Sequence, residues 1–165
     1  MTRKGLAIAL AGLSVLTVST ASALPLNQHA ASFQAARGAD QQFINRSTSG
    51  VSNSAAVNKT VVGAPARNPH PNGNQTVSIT GWNSNATVNS RCTVYSYSSA
   101  GAFVASKNFC MGSAAGCIVP PAGYWTHNET FSVAEAPFNA SYVVYCTLLP
   151  AGANTNRIHS VRVSP

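Results

Sequence analysis

The chain has 165 residues, a formal net charge of +7, and charged side chains at only 8% of positions. That length bounds it to one ordinary domain with a short extension, large enough to bury a real core. Its acidic residues are three in all, Asp40, Glu129 and Glu135, so any chemistry that needs several carboxylates has little to work with.

Arg3 and Lys4 open the chain, an apolar run follows from Gly5 to about Val18, and Ala21-Ser22-Ala23 supplies small residues at −3 and −1. This is the layout of a signal peptide over residues 1–23, with a short n-region of bacterial type, and it predicts a secreted or periplasmic product. No cysteine follows the apolar run, which excludes a lipid anchor at the cleavage site, and the lack of an Arg-Arg pair argues against twin-arginine export. No later segment approaches the roughly 18–20 apolar residues of a membrane span.

From Leu24 to about Thr48 the pattern is weak. Leu26, Ala30, Phe33 and Ala36 fall near helical spacing and Gly38 is a plausible stop, so residues 24–48 are expected to form a flexible or short-helical arm. From about residue 49 the text turns to short β-like runs between turn residues. These are Val57–Val62, Gln75–Trp82, Ala86–Ser98, Ala102–Phe109, Tyr124–Val133, Ser141–Leu149 and Arg157–Val163. Ser99-Ala-Gly101 is the strongest hairpin signal. Ser141–Leu149 is apolar on both faces, which predicts a central strand. Seven short strands with few Leu, Lys or Glu predict an all-β domain over 49–165: a single antiparallel β-sandwich, Ig-like or jelly-roll-like, with a small barrel as the alternative.

Without Arg3 and Lys4, eight Lys and Arg residues stand against three acids, a net charge of +5. Such a balance suits anionic partners such as lipopolysaccharide, teichoic acid, acidic polysaccharide or extracellular DNA, but ordinary solubilising charge is the preferred reading. The cations are spread along the chain, and none sits in a nucleic-acid motif, so no nucleic-acid partner is expected.

Cys92, Cys110, Cys117 and Cys146 are an even set in an exported chain, and their spacings of 17, 6 and 28 residues fit no zinc pattern. The preferred pairing is Cys92–Cys146, pinning one sheet to the other, with Cys110–Cys117 closing a six-residue loop. Cys92–Cys110 with Cys117–Cys146 is the competitor.

The order Gly50-Val-Ser-Asn53, Thr60-Val-Val-Gly-Ala-Pro65, Cys92-Thr-Val-Tyr-Ser, Tyr142-Val-Val-Tyr-Cys146-Thr-Leu-Leu-Pro150 and Ile158-His-Ser160-Val-Arg-Val163 resembles a loose set of uncharacterised small secreted bacterial proteins with a β-sandwich-like pattern. The similarity covers roughly residues 50–165 and no single motif is diagnostic. It implies an exported β domain and brings no activity with it. Where this chain has Gly63-Ala64-Pro65 those relatives carry Cys-Pro, which implies a rearranged cysteine framework.

Catalytic motifs are missing. There is no G-x-S-x-G elbow, no phosphate loop and no H-E-x-x-H, and no cofactor motif. Glu129 and Glu135 would lie about 20 Å apart along one strand, too far for the paired carboxylates of a glycosidase. The best constellation is Trp125, His127 and Glu129, which alternation puts on one strand face. An exposed Trp beside a His and a carboxylate suits a sugar ring. The plain alternative is that Trp125 covers the end of the core and the other two are rim residues. The reading is therefore a non-catalytic binding or surface-associated module for carbohydrate, cell envelope or a protein partner. Its alternatives are a hydrolase using His127 and Glu129, or a structural component of an envelope assembly. Six Asn-x-Ser/Thr sequons, at Asn45, Asn58, Asn74, Asn85, Asn128 and Asn139, would be candidate glycan sites in a eukaryotic secretory route; an Asn-, Ser- and Thr-rich chain with a bacterial-type leader also produces them by chance, which is the preferred reading.

Overall fold

The computed structural model describes residues 26–65, 73–118 and 122–165; the leader read at 1–23 lies outside them. Alternation is realised most fully in β6 (Gln75–Asn83), where Val77 and Ile79 are buried and Thr76, Ser78 and Thr80 face outward. β9 (Gly123–Phe131) pairs along one side of β6 and β11 (Asn156–Ser164) along the other. Beyond β11 come β4 (Gly50–Asn53) and then β3 (Ile44–Ser47), while β1 (Leu26–His29) runs along the rest of the same β11 edge. We call this six-stranded layer sheet A. Sheet B has five strands in the order β2 (Gln34–Ala35), β5 (Lys59–Gly63), β10 (Ser141–Leu148), β7 (Ser90–Tyr97), β8 (Phe103–Met111).

Every strand pair is antiparallel, and the two layers close as a sandwich, not a barrel. Phe33, Phe109, Phe131, Ile79, Leu148 and Ile158 fill the space between them; burying each contributes about 1.5–3 kcal/mol. β10 lies in the middle of sheet B, as its two apolar faces require. The β7–β8 hairpin turns at Ser98–Ala102, with the Ser98 N–H donating to the Ala102 carbonyl at 2.8 Å.

Three expectations are corrected. The run read from Ala86 enters β7 only at Ser90, because Asn85 Oδ1 accepts the Thr87 N–H at 3.0 Å and holds a local turn. Residues 26–48 are not a loose or helical arm. β1 pairs with β11, β2 pairs with β5, and the helical character is confined to two 3-10 segments, Ala30–Ser32 and Gly38–Phe43. Phe33 anchors this stretch. It is fully buried, and a Cβ on Gly63 would stand 2.1 Å from its ring, so the bare backbone of β5 is its seat.

The third correction concerns the cysteines. Cys92 is bonded to Cys146 and Cys110 to Cys117, but the first bridge does not join the sheets. Cys146 lies directly opposite Cys92 in the register of β10 on β7, Cα to Cα 4.0 Å, within sheet B. Residues directly opposite each other on adjacent antiparallel strands have Cα atoms about 4.5–5.5 Å apart, inside the roughly 7 Å that a disulfide spans.

Candidate functional site

Trp125, His127 and Glu129 do share a face of β9, but it is the inner one. Trp125 is 6% exposed and His127 is 7% exposed, which corrects the expectation of an exposed tryptophan. The indole lies over Gly81, where a Cβ would come within 2.3 Å of a ring carbon and 2.6 Å of the Arg157 carbonyl oxygen. Its Nε1–H donates to Asn83 Oδ1 at 3.0 Å. The ring is not open to a sugar. Alternation says which residues share a face, and only the packing partner says which face is wet.

His127 Nε2 lies 2.9 Å from Glu129 Oε1, and the imidazole tilts against Phe109 with ring centres 5.0 Å apart. Half-buried Glu129 is the part of the pair that reaches the surface. Among the described residues no third side chain joins them.

Asn83 is the hub of a buried polar network that the sequence concealed, because its members are residue types common in loops. Besides the Trp125 indole, Asn83 Oδ1 accepts the Ser90 hydroxyl at 2.6 Å, and its Nδ2 donates to the Val88 carbonyl at 3.0 Å. Asn156 Nδ2 donates to Ser90 Oγ and to the Thr147 carbonyl, and its Oδ1 accepts the Leu149 N–H at 2.7 Å. Strands of both sheets are thereby tied together at one pole. Each bond is worth about 1 kcal/mol net, yet an orphaned buried partner costs about 1–3 kcal/mol.

The exposed aromatic group of β9 is one residue away. Tyr124 is 75% exposed on the outer face of sheet A. In register it stands opposite Trp82, which in turn stands opposite Arg157, so the three form a row across β9, β6 and β11. The Arg157 guanidinium covers the Trp82 ring, 5.4 Å from its centre. The next row is Thr126, Thr80 and Ser160, the last two hydrogen-bonded at 2.8 Å. After it comes Asn128, Ser78 and Arg162.

His159 sits at a register shift in β11, with its ring 5.2 Å from that of Tyr124. Thr80, Tyr124, Thr126 and His159 line a shallow hollow of about 310 Å³. Burial, with the nearby charges of Arg157 and His29, pushes the His159 pKa below its usual value, so the ring is neutral at neutral pH. The signal for this face was present in the polar half of the alternation, Tyr124-x-Thr126-x-Asn128-x-Thr130.

The outer face of sheet B carries a second aromatic group. Tyr95 packs edge-on to Tyr145 at 5.7 Å and to Phe103 at 6.3 Å, and Tyr97 meets Phe103 at 6.2 Å. Beside it Thr60, Arg91, Thr93, Asn108, Tyr145 and Thr147 surround a hollow of about 370 Å³. Because these rings meet edge to face, they do not make one flat platform.

No family model matches the sequence, and no curated protein matches it. Solved structures do resemble the fold. One is "BiXyn10A CBM1 APO", at a TM-score of 0.50 and 10% identity over 84% of this chain and 96% of that one. Another is carbohydrate-binding module CBM36 in complex with calcium and xylotriose, at 0.45 and 15% over 84% and 98%. A third is the enzymatically active domain of bacteriophage CBA120 tailspike protein 4, at 0.46 and 10% identity. The chain covers 69% of its own length there and spans only 15% of the tailspike domain. What the first of these shares with this chain is the fold.

The described residues hold no group of three or more His, Cys, Asp or Glu side chains arranged for a metal ion, and no helix long and apolar enough to cross a membrane. The three carboxylates are all engaged away from the outer face of sheet A. Asp40 pairs with Lys59 at 2.6 Å, Glu135 with Lys107 at 2.9 Å, and Glu129 with His127. The Ser132 N–H, with Lys107, holds Glu135 at a pKa of about 2.

Proposed function

We propose that this protein is an exported, non-catalytic carbohydrate-binding module whose ligand lies on Tyr124, beside the Arg157-covered Trp82, on the outer face of sheet A. The observation that carries the reading is the exposed Tyr124 ring at the edge of a hydroxyl-lined hollow. A sugar ring has one apolar C–H face and a rim of hydroxyls. An exposed aromatic ring suits the first, and Thr80, Thr126 and Ser160 suit the second. The sandwich likeness to carbohydrate-binding modules agrees with this class of function, and the leader pattern and disulfides agree with life outside the cytoplasm.

Affinity electrophoresis through gels containing soluble polysaccharides tests the proposal. Tyr124→Ala is expected to abolish retardation while leaving the thermal midpoint within about 2 °C, since an exposed side chain contributes little to stability. Retardation that survives Tyr124→Ala and Trp82→Ala together would refute it. A second reading rests on the Tyr95, Tyr145 and Phe103 group, which suits an envelope protein or glycan on sheet B; Tyr145→Ala in the same gels separates the two faces.

A further inference from the structure

The same face carries a charge pattern that specifies more than sugar. Arg157 and Arg162 are both exposed on it, neither has an ion-pair partner among the described residues, and all three acidic side chains are paired elsewhere. Their register partners on β6, Trp82 and Ser78, are four residues apart, so the two arginines stand about 13 Å from each other at ~3.3 Å per residue. His29 joins this side through β1, opposite Ser160.

Arg157 is the more specific of the two. Its guanidinium carbon lies 5.4 Å from the centre of the Trp82 ring, and with no ion-pair partner among the described residues its planar set of N–H donors can meet the two oxygens of a carboxylate. Two strands over, about 10 Å away, Tyr124 offers the ring for the sugar body. Two unpaired cations on one face favour an anionic glycan over a neutral one, and Tyr124 favours a sugar over a bare anion.

We infer that the ligand of this face is an acidic polysaccharide, whose sugar bodies lie on Tyr124 and the Thr80–Ser160 pair while its carboxylates meet Arg157 and Arg162. The inference rests on the carbohydrate-binding reading above and narrows it to one chemical class.

Polygalacturonate oligomers and their fully methyl-esterified counterparts, which share one backbone and differ in charge, serve as probes in titration calorimetry with the intact exported protein. The acid form is expected to bind at least tenfold more tightly than the ester at low salt and to lose that advantage as salt rises. Arg157→Gln and Arg162→Gln together should bring the acid form down to the ester level and leave the ester unchanged. Tyr124→Ala should weaken both forms, and Arg91→Gln, on the other sheet, should change neither.

Equal affinity for acid and ester overturns the inference while the carbohydrate reading stands. Acid preference that survives the double arginine variant also overturns it, since the charge would then act from elsewhere. Failure to bind either form, with retention on a neutral glycan that Tyr124→Ala removes, overturns the acidic class alone. Failure on acidic and neutral glycans alike removes both readings.

Discussion

Phe33 is the test of whether residues 26–48 belong to the fold. The side chain is fully buried and sits on the backbone of Gly63. A phenylalanine buries about 150–250 Å², which at ~25 cal/mol per Å² is about 4–6 kcal/mol as an upper bound. Phenylalanine-to-alanine changes in cores cost about 3–5 kcal/mol. Gly63 has no side chain with which to fill the vacated space, so the cost of Phe33→Ala is expected in the upper half of that range. For a domain of roughly 5–15 kcal/mol total stability, that removes about a quarter or more.

Urea unfolding followed by the fluorescence of Trp82 and Trp125 should show a lower midpoint with an unchanged slope. Gly63→Ala supplies the second arm. Alone it should cost about 1–3 kcal/mol by overpacking. In the Phe33→Ala background the new methyl enters empty space, so the two changes should couple by at least about 1 kcal/mol. A loss below about 1 kcal/mol for Phe33→Ala, or strict additivity of the pair, would refute the argument that this segment is seated in the sandwich.

Two further outcomes follow from the bridges and the core. The disulfides close sequence separations of 54 and 7 residues, for which chain entropy gives about 4 and about 2.5 kcal/mol; paired Cys-to-Ala variants in urea should keep that order, and the reverse order would contradict it. Burial pushes the Tyr142 pKa up to about 12. Above pH 10 the unfolded chain sheds a proton that the folded one keeps, so stability should fall from pH 10 toward 12 by up to roughly 1.4 kcal/mol per pH unit. Tyr142→Phe should flatten that slope in unfolding curves taken at pH 10 and 11, and an unchanged slope would mean that other groups set it.

The long strands were legible because each has enough alternation to declare itself: β6 carries Val77 and Ile79 against Thr76, Ser78 and Thr80. β1 to β4 were not, since runs of two to four residues give no period to detect. The candidate site was half legible. Alternation grouped Trp125 with His127 and Glu129 correctly, yet hydrophobicity alone does not say which of two neighbouring aromatics, Tyr124 or Trp125, turns inward. Gly81 decides it, because only a bare position on the paired strand leaves room for an indole. The Asn83, Ser90 and Asn156 network was hidden for a related reason: polar residues at strand ends read as surface until both sheets are seen to meet over them.

Leu26 stands opposite Val163 in the register of β1 on β11, so the two ends of the described fold leave from one pole. The row of Arg157, Trp82 and Tyr124 crosses the other end of β11, six residues from Val163, or roughly 20 Å away. A fused domain, a bead or a tether attached at either end therefore leaves that row turned outward. The ends are also close enough to be joined by a short linker, and the exposed turn at 151–154 is a natural place to reopen the chain. Such a circular permutant would carry its attachment points beside the aromatic row instead of opposite it, reversing the way the molecule presents itself while leaving the core between the sheets as it is.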